Sequence, residues 1–163
     1  MADDFLVYDF AFDYARDPLD FRVLPRLRIA VRFFPDQERP LSVGAVLDTG
    51  AEMSVLDGSL ALEAGWTYGD IVERALATEL IYGFSSGPPI RGYAHEIECL
   101  LGNSRQFADL HLRVLIIPPD SVVYPVLGRS NFFQQVDVTF VDFERKLYLR
   151  FRDPTRLHSY LVP

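Results

Sequence analysis

The sequence predicts a mainly β protein, built as one domain with an extension at each end. Three observations carry that prediction. Apolar and polar residues alternate over many short runs, the period of strands with one buried face. Glycine and proline punctuate those runs, with 10 Gly and 11 Pro in 163 residues. Helical patterning is confined to two short segments. A hydrophobic content of 49 % and an aromatic content of 13 % suffice for a real core, and the length suits one domain.

Composition narrows the function. A formal net charge of -7 argues against a nucleic-acid scaffold, which would show a basic face. The cationic side chains are arginine except for Lys146, the only lysine. Cys99 is the only cysteine, so no intramolecular disulfide is expected. Within Glu96-Ile97-Glu98-Cys99-Leu100-Leu101 it reads as a small buried apolar residue, with no basic neighbour to make its thiol reactive. The start, Met1-Ala2-Asp3-Asp4-Phe5, is acidic and lacks the basic residues and apolar run of a signal peptide. No apolar stretch approaches the ~20 residues that span a bilayer. The expectation is a cytoplasmic protein with no membrane and no nucleic-acid partner.

Residues 5–14 alternate Leu6, Tyr8, Phe10, Phe12 and Tyr14 with smaller or acidic residues. They read as an added strand on the main domain or as a segment pairing with a second subunit, interrupted by Asp17-Pro18. From Leu24 to Phe34, Leu27, Ile29, Val31 and Phe33 alternate with Arg26, Arg28 and Arg32, a half-buried strand. Residues 35–40 supply the turn and residues 41–47 the returning strand. Asp57 or Ser59 is the candidate cap of a short helix over 60–64, ended by Gly65. Residues 70–80 are ambiguous, with strand favoured from about Arg74. Two strand-like arms, 79–82 and 93–101, flank a tip framed by Gly83 and Gly87. After a turn at 102–104, residues 107–117 and 124–127 form apolar runs, and residues 130–135 suit the second short helix. Residues 136–141 and 147–151 close the chain as a hairpin. The acidic residues at 9, 13, 96, 98, 137 and 142 read as solvated strand faces.

The chemistry concentrates at Leu47-Asp48-Thr49-Gly50-Ala51. A buried strand that delivers an ionisable group to a tight turn is expensive to build for stability alone, because desolvating a lone carboxylate costs several kcal/mol, on the order of the usual burial penalties. Asp48 is therefore the candidate catalytic residue. A loose repeat supports this: Val126-Leu127-Gly128-Arg129 again runs from an apolar strand into glycine and a short helix, without the carboxylate. His95, His111 and His158 lack metal-ligand spacing. Ser85-Ser86 lacks the strand-to-helix setting of a nucleophile elbow.

These two motifs resemble those of the retropepsin-like aspartic proteases, the single-domain relatives of pepsin in retroviruses and many bacteria. The resemblance spans roughly residues 24–152. It implies a closed acid-protease barrel or sandwich with one or two short helices, an extension at 1–23, and a tail at 153–163 that is a candidate dimer-interface strand. It also implies a homodimer that cuts a peptide or protein substrate, since the reaction needs two carboxylates sharing one proton and this chain has one motif. No metal and no cofactor are implied.

By the same resemblance, Thr49 bonds across the dimer axis and Gly50 donates an N–H to the carboxylate. Ala51 stands where a serine donor is common, which implies a dyad titrating above that of pepsin. Glu52 and Arg129 are expected to form an ion pair bracing the site beside Leu127 and Gly128. Tyr82, Gly83, Phe84, Ser85, Ser86 and Gly87 are the candidate flap, stiffened on one arm by Pro88-Pro89. Two other readings stay open. One is a catalytically inactive member of the fold that binds peptides or dimerises; the other is a chance Asp48-Thr49-Gly50 turn in an unrelated β domain.

Overall fold

The computed structural model describes residues 8–16, 23–83, 87–119, 121 and 124–160. The chain begins with β1 (Phe10–Asp13), β2 (Ala15–Arg16) and β3 (Val23–Leu24). Of the strand expected at 5–14, residues 5–7 lie outside the described residues, as do Asp17 and Pro18. The hairpin then follows as its alternation dictates. In β4 (Arg26–Arg32), Leu27, Ile29 and Val31 are buried while Arg28 faces solvent. In β5 (Leu41–Leu47), which returns antiparallel to it, Val43, Ala45 and Leu47 are buried.

Next come β6 (Ser54–Asp57) and two short helices, α1 (Gly58–Glu63) and α2 (Tyr68–Glu73). Asp57 caps α1 by accepting from the Ser59 N–H at 2.8 Å, and Gly65 beyond its end takes φ 101°. The ambiguous segment resolves as helix α2 followed by β7 (Ala77–Ile81). Its cause is a capping box: the Thr67 hydroxyl accepts from the Asp70 N–H, and the Asp70 carboxylate accepts from the Thr67 N–H at 2.8 Å.

Two long strands, β8 (Ile90–Gly102) and β9 (Gln106–Ile117), dominate the second half. The two-residue β10 (Val126–Leu127), β11 (Val136–Val141), β12 (Lys146–Phe151) and β13 (Leu157–Ser159) complete the chain. Hydrogen bonding runs in the order β13-β9-β6-β10-β5-β4-β8-β7, and β8 also pairs with β9. That extra pairing closes β9, β6, β10, β5, β4 and β8 into a six-stranded barrel. β7 and β13 hang on its rim as edge strands. The fold is the expected mainly β closed barrel.

Inside lies one main core, which includes Leu27, Ile29, Leu101, Leu110, Leu112, Ile116 and Leu127, each at most 2 % exposed. Each such side chain contributes about 1.5–3 kcal/mol of burial. Cys99 belongs to this core, and burial pushes its thiol up to about 12, which leaves it an inert apolar residue. A smaller cluster of Val55, Ala94, Leu115 and Ile117, flanked by Met53 and Ile81, packs on another face of the same strands.

The extension is joined to the body. β1 pairs with β12, and β12 with β11, in a three-stranded sheet that inserts Phe10 into the main core. Several carboxylates expected on solvated faces are engaged instead. Asp9 accepts from the Phe151 N–H at 2.7 Å, Glu98 pairs with Arg32, Asp137 with Arg150 and Arg152, and Asp142 accepts from the Tyr14 hydroxyl.

The second expected helix is present in irregular form, as one wide turn over Arg129–Phe133 that runs on into Gln134 and Gln135. Over Arg129–Phe133, Ser130 is extended (φ -69°, ψ 130°) and Asn131 has φ 70°, so regular helical backbone is lost there. The reason is upstream. Backbone bonds from Arg129 N–H to the Ala51 carbonyl at 2.9 Å, and from Ser130 N–H to the Glu52 carbonyl at 2.7 Å, hold this stretch open.

Candidate active site

Two strand ends build the site. β5 and β10 run parallel, with Val46 beside Val126 and Leu47 beside Leu127, although their residues lie far apart in sequence. β10 also pairs with β6 on its other side, so it is threaded between two strands that are neighbours in the chain. The Asp48 N–H donates to the Leu127 carbonyl at 3.1 Å, which anchors the carboxylate-bearing residue to the second motif.

Beyond Leu47 the chain turns sharply, with the Ala51 N–H donating to the Asp48 carbonyl at 3.2 Å. The Gly50 N–H donates to Asp48 Oδ1 at 2.8 Å. This is the contact expected of Gly50, and a Cβ there would stand 3.1 Å from that same oxygen. Gly128 is required more strictly: a Cβ on it would meet the Met53 carbonyl oxygen at 2.5 Å and the Ala51 carbonyl oxygen at 3.0 Å. Its N–H donates to the hydroxyl of Ser54, a fully buried residue.

Asp48, Thr49 and Gly50 are exposed. The carboxylate is therefore not buried in the single chain, and the desolvation expected from the sequence is absent at this stage. A hydrated carboxylate at a fixed position is what one chain provides. The Glu52–Arg129 ion pair is not formed among the described residues: both side chains are exposed, and the two segments are joined through the backbone instead.

A groove of about 540 Å³ opens beside Asp48. Met53, Val55 and Leu115 line it, as do Leu80, Ile81 and Tyr82. Tyr82 is 73 % exposed, and Gly83, which also borders the groove, takes φ 87°. Gly87 is exposed, while Phe84, Ser85 and Ser86 of the candidate flap lie outside the described residues. Gly92, behind the groove, is needed for packing, since a Cβ would stand 2.9 Å from Ile81 Cδ1 and 3.1 Å from Leu115 Cβ.

Sequence reasoning missed Ser54, Glu79 and the groove-lining apolar residues. Ser54 left one signal, a lone hydroxyl just ahead of the apolar pair Val55-Leu56 and two residues beyond Glu52. The histidines lie elsewhere. His95 is buried, bonded through Nε2 to the Ile71 carbonyl oxygen at 2.8 Å and edge-on to Trp66. His158 bonds to Asp109, and His111 is exposed. Among the described residues no group of three or more His, Cys, Asp or Glu side chains is arranged to hold a metal, and no helix is long and apolar enough to cross a membrane.

Another cavity, of about 580 Å³, contains Asp109 and Glu98, but arginines already hold both carboxylates, Arg156 at 3.0 Å and Arg32 at 2.9 Å. The Asp48 groove differs in offering a carboxylate with no cation upon it.

No family model matches the sequence, and no curated protein matches it. Solved structures do. The chain is similar to a retropepsin-like aspartic protease from Rickettsia conorii, with 14 % identity, a TM-score of 0.53, and coverage of 86 % of this chain and 98 % of that one. It is also similar to EIAV protease complexed with an inhibitor, with 16 % identity, a TM-score of 0.43, and coverage of 71 % and 90 %. The chain has the retropepsin-like fold.

Proposed function

We propose that the protein is an aspartic endopeptidase whose active unit is a homodimer, with one Asp48 contributed by each copy. The observation that carries this reading is the Asp48 turn itself. The carboxylate is exposed beside a groove, receives the Gly50 N–H, and is pinned through its backbone to the Leu127–Gly128 element. Such rigidity is wasted on a lone hydrated carboxylate and useful for one that must meet a partner.

In the proposed reaction two Asp48 carboxyl groups share one proton. Like charges about 3 Å apart cannot both ionise, so one stays protonated and the other anionic. The anionic group takes a proton from a water molecule as the water oxygen attacks the scissile carbonyl carbon. The protonated group donates to the carbonyl oxygen, giving a neutral gem-diol. Collapse of that intermediate breaks the C–N bond. The leaving nitrogen takes the proton that the first carboxylate gained from water. A gem-diol hydroxyl gives its proton to the other carboxylate as the carbonyl reforms, restoring the singly protonated pair. The Gly50 N–H bond holds Asp48 in place throughout.

Thr49, exposed beside Asp48, is assigned the contact across the two-fold axis. Tyr82 and Gly83 are assigned to the base of a flap over the groove. With Ala51 supplying no hydroxyl, the pair is proposed to work at mildly acidic to near-neutral pH. The cytosol is the proposed compartment, where the buried Cys99 needs no pairing. The extension at 1–23 and the tail at 153–163 are proposed to shape the dimer.

Cleavage of denatured casein between pH 4 and 7, abolished by Asp48→Asn, is the expected result. A protein that stays monomeric at micromolar concentration and inert across that range would instead be a binding module on the same fold. The exposed Asp48 carboxylate of the single chain is the observation that favours that second reading.

A further inference from the structure

We propose that the groove beside Asp48 selects extended peptides that carry a basic residue next to apolar ones, with Glu52 and Glu79 reading the positive charge. As a statement about cleavage sites this rests on the endopeptidase reading; as a statement about binding it does not.

The charges of the groove are one-sided. Asp48, Glu52 and Glu79 line it, and among the described residues no arginine or lysine does. Glu52 was the expected partner of Arg129, yet its side chain makes no hydrogen bond or ion pair among the described residues. Glu79 has one cation near it, Arg113, whose nitrogen stands 4.0 Å away with both side chains about two-fifths exposed. Elsewhere the chain matches carboxylates closely with arginine: Glu98 with Arg32 at 2.9 Å and Asp137 with Arg150 at 2.7 Å. The negative charge of the groove is thus only weakly compensated among the described residues, by Arg113 at 4.0 Å from Glu79, and the net charge of -7 adds to it at long range. A guanidinium or ammonium group on an incoming peptide supplies the missing charge.

The shape of the groove sets the rest of the ligand. Leu80 is 54 % exposed and Tyr82 73 % exposed, which is costly in water unless something apolar lies on them. They stand on and just after β7, which ends its sheet and among the described residues pairs only with β8, so its outer backbone edge can take an extended strand. Side chains of an extended peptide alternate in direction, so one set meets the apolar wall while the long stem of Arg or Lys carries its charge to Glu52 or Glu79. Weakly compensated carboxylates at an open groove discriminate between charges through both steering and the bound state.

Three labelled peptides of identical apolar sequence, differing at one position as Arg, Gln or Glu, provide the test. Their binding is measured by fluorescence anisotropy to full-length Asp48→Asn protein, which leaves the peptides intact. The Arg peptide is expected to bind about fivefold more tightly than the Gln peptide, the upper range for an exposed ion pair, and the Glu peptide more weakly still. The preference is expected to shrink at 0.5 M salt. In the same background Glu79→Lys or Glu52→Lys reverses the order, while Glu79→Gln only flattens it. Equal affinity for all three peptides, no binding of any, or a preference untouched by both charge reversals overturns the proposal. Competition kinetics with the wild-type protein separate the two readings. Cleavage of all three peptides at equal kcat/KM keeps the endopeptidase and discards the charge selection. Arg-selective binding with no cleavage keeps the selection and discards the catalysis.

Discussion

The ends of β5 and β10 lie side by side, in register, and are put to opposite uses. At the first, Asp48 projects a carboxylate into solvent. At the second, Gly128 can project nothing, because the Met53 carbonyl occupies the space a Cβ would need. One strand end is exposed and chemically equipped; the other is buried and spent on holding the first. The difference teaches where the energetic penalty of the candidate carboxylate falls. Within one chain Asp48 stays exposed, so under the proposed homodimer any desolvation would fall on assembly with the second copy.

Mutations should separate the two ends. The largest expected effect is on chemistry: Asp48→Asn should reduce proteolysis by roughly 10⁴-fold, the scale found when a catalytic group is removed. Because Asn keeps an oxygen for the Gly50 N–H, its melting temperature should match that of wild type. At the other end, Gly128→Ala should lower stability by about 3 kcal/mol or more through overpacking, and activity should follow only as far as the fold is lost. Chemical denaturation monitored by far-UV circular dichroism checks both variants.

Ser54→Ala tests the bond beneath Gly128. It leaves a buried N–H without an acceptor and should cost about 2 kcal/mol, with little change in the KM of the remaining folded protein. Gly50→Ala is milder in stability but displaces the Asp48 oxygen 3.1 Å from the new methyl, so kcat should fall by about tenfold.

The smallest effect comes from pH and touches the scaffold alone. Burial holds the His95 pKa below its usual 6.5, partly offset by its bond to the Ile71 carbonyl. The folded state therefore binds that proton less readily than the unfolded chain does, so stability is full above about pH 6.5 and declines as pH falls below it. Paired carboxylates such as Asp137, held low chiefly by their bonds to Arg150 and Arg152, add a second decline only as pH falls through the range below 3.8. Thermal melts from pH 7.5 to 5 should show the first loss, and His95→Gln, which keeps a donor for Ile71, should flatten it.

Much of this arrangement was legible. The alternation of Leu27, Ile29 and Val31 against arginine gave the hairpin, because a half-buried strand writes its two faces directly into the chain. The Asp48-Thr49-Gly50 string and the Gly128 element were readable because tight turns restrict residue type. What stayed hidden depended on contacts between distant segments. Thr67 and Asp70 hold a capping box in which Asp replaces the usual Glu, and its neighbours Ile71 and Val72 suited strand equally well. Ser130 and Asn131 are pulled out of helix by backbone bonds to the Asp48 turn, which no local propensity records. Glu52 illustrates how a resemblance differs from a contact: the residue type fits an ion pair with Arg129, and among the described residues of the single chain no such pair is made.

Threading β10 between β5 and β6 has a consequence for how the molecule comes into being. Two residues, Val126 and Leu127, complete the ring of strands, and their partners at Val46 and Val55 are made long before them. Until residue 127 is available, the barrel has a missing stave about 5 Å from each neighbour, and Asp48 lacks the carbonyl that anchors it. Such distant pairing carries a large loop-closure entropy and comes late in folding. The candidate catalytic turn is thus expected to be among the last parts of the chain to become rigid. A nascent or C-terminally truncated protein ending before β10 would carry the Asp48-Thr49-Gly50 sequence without the structure that positions it.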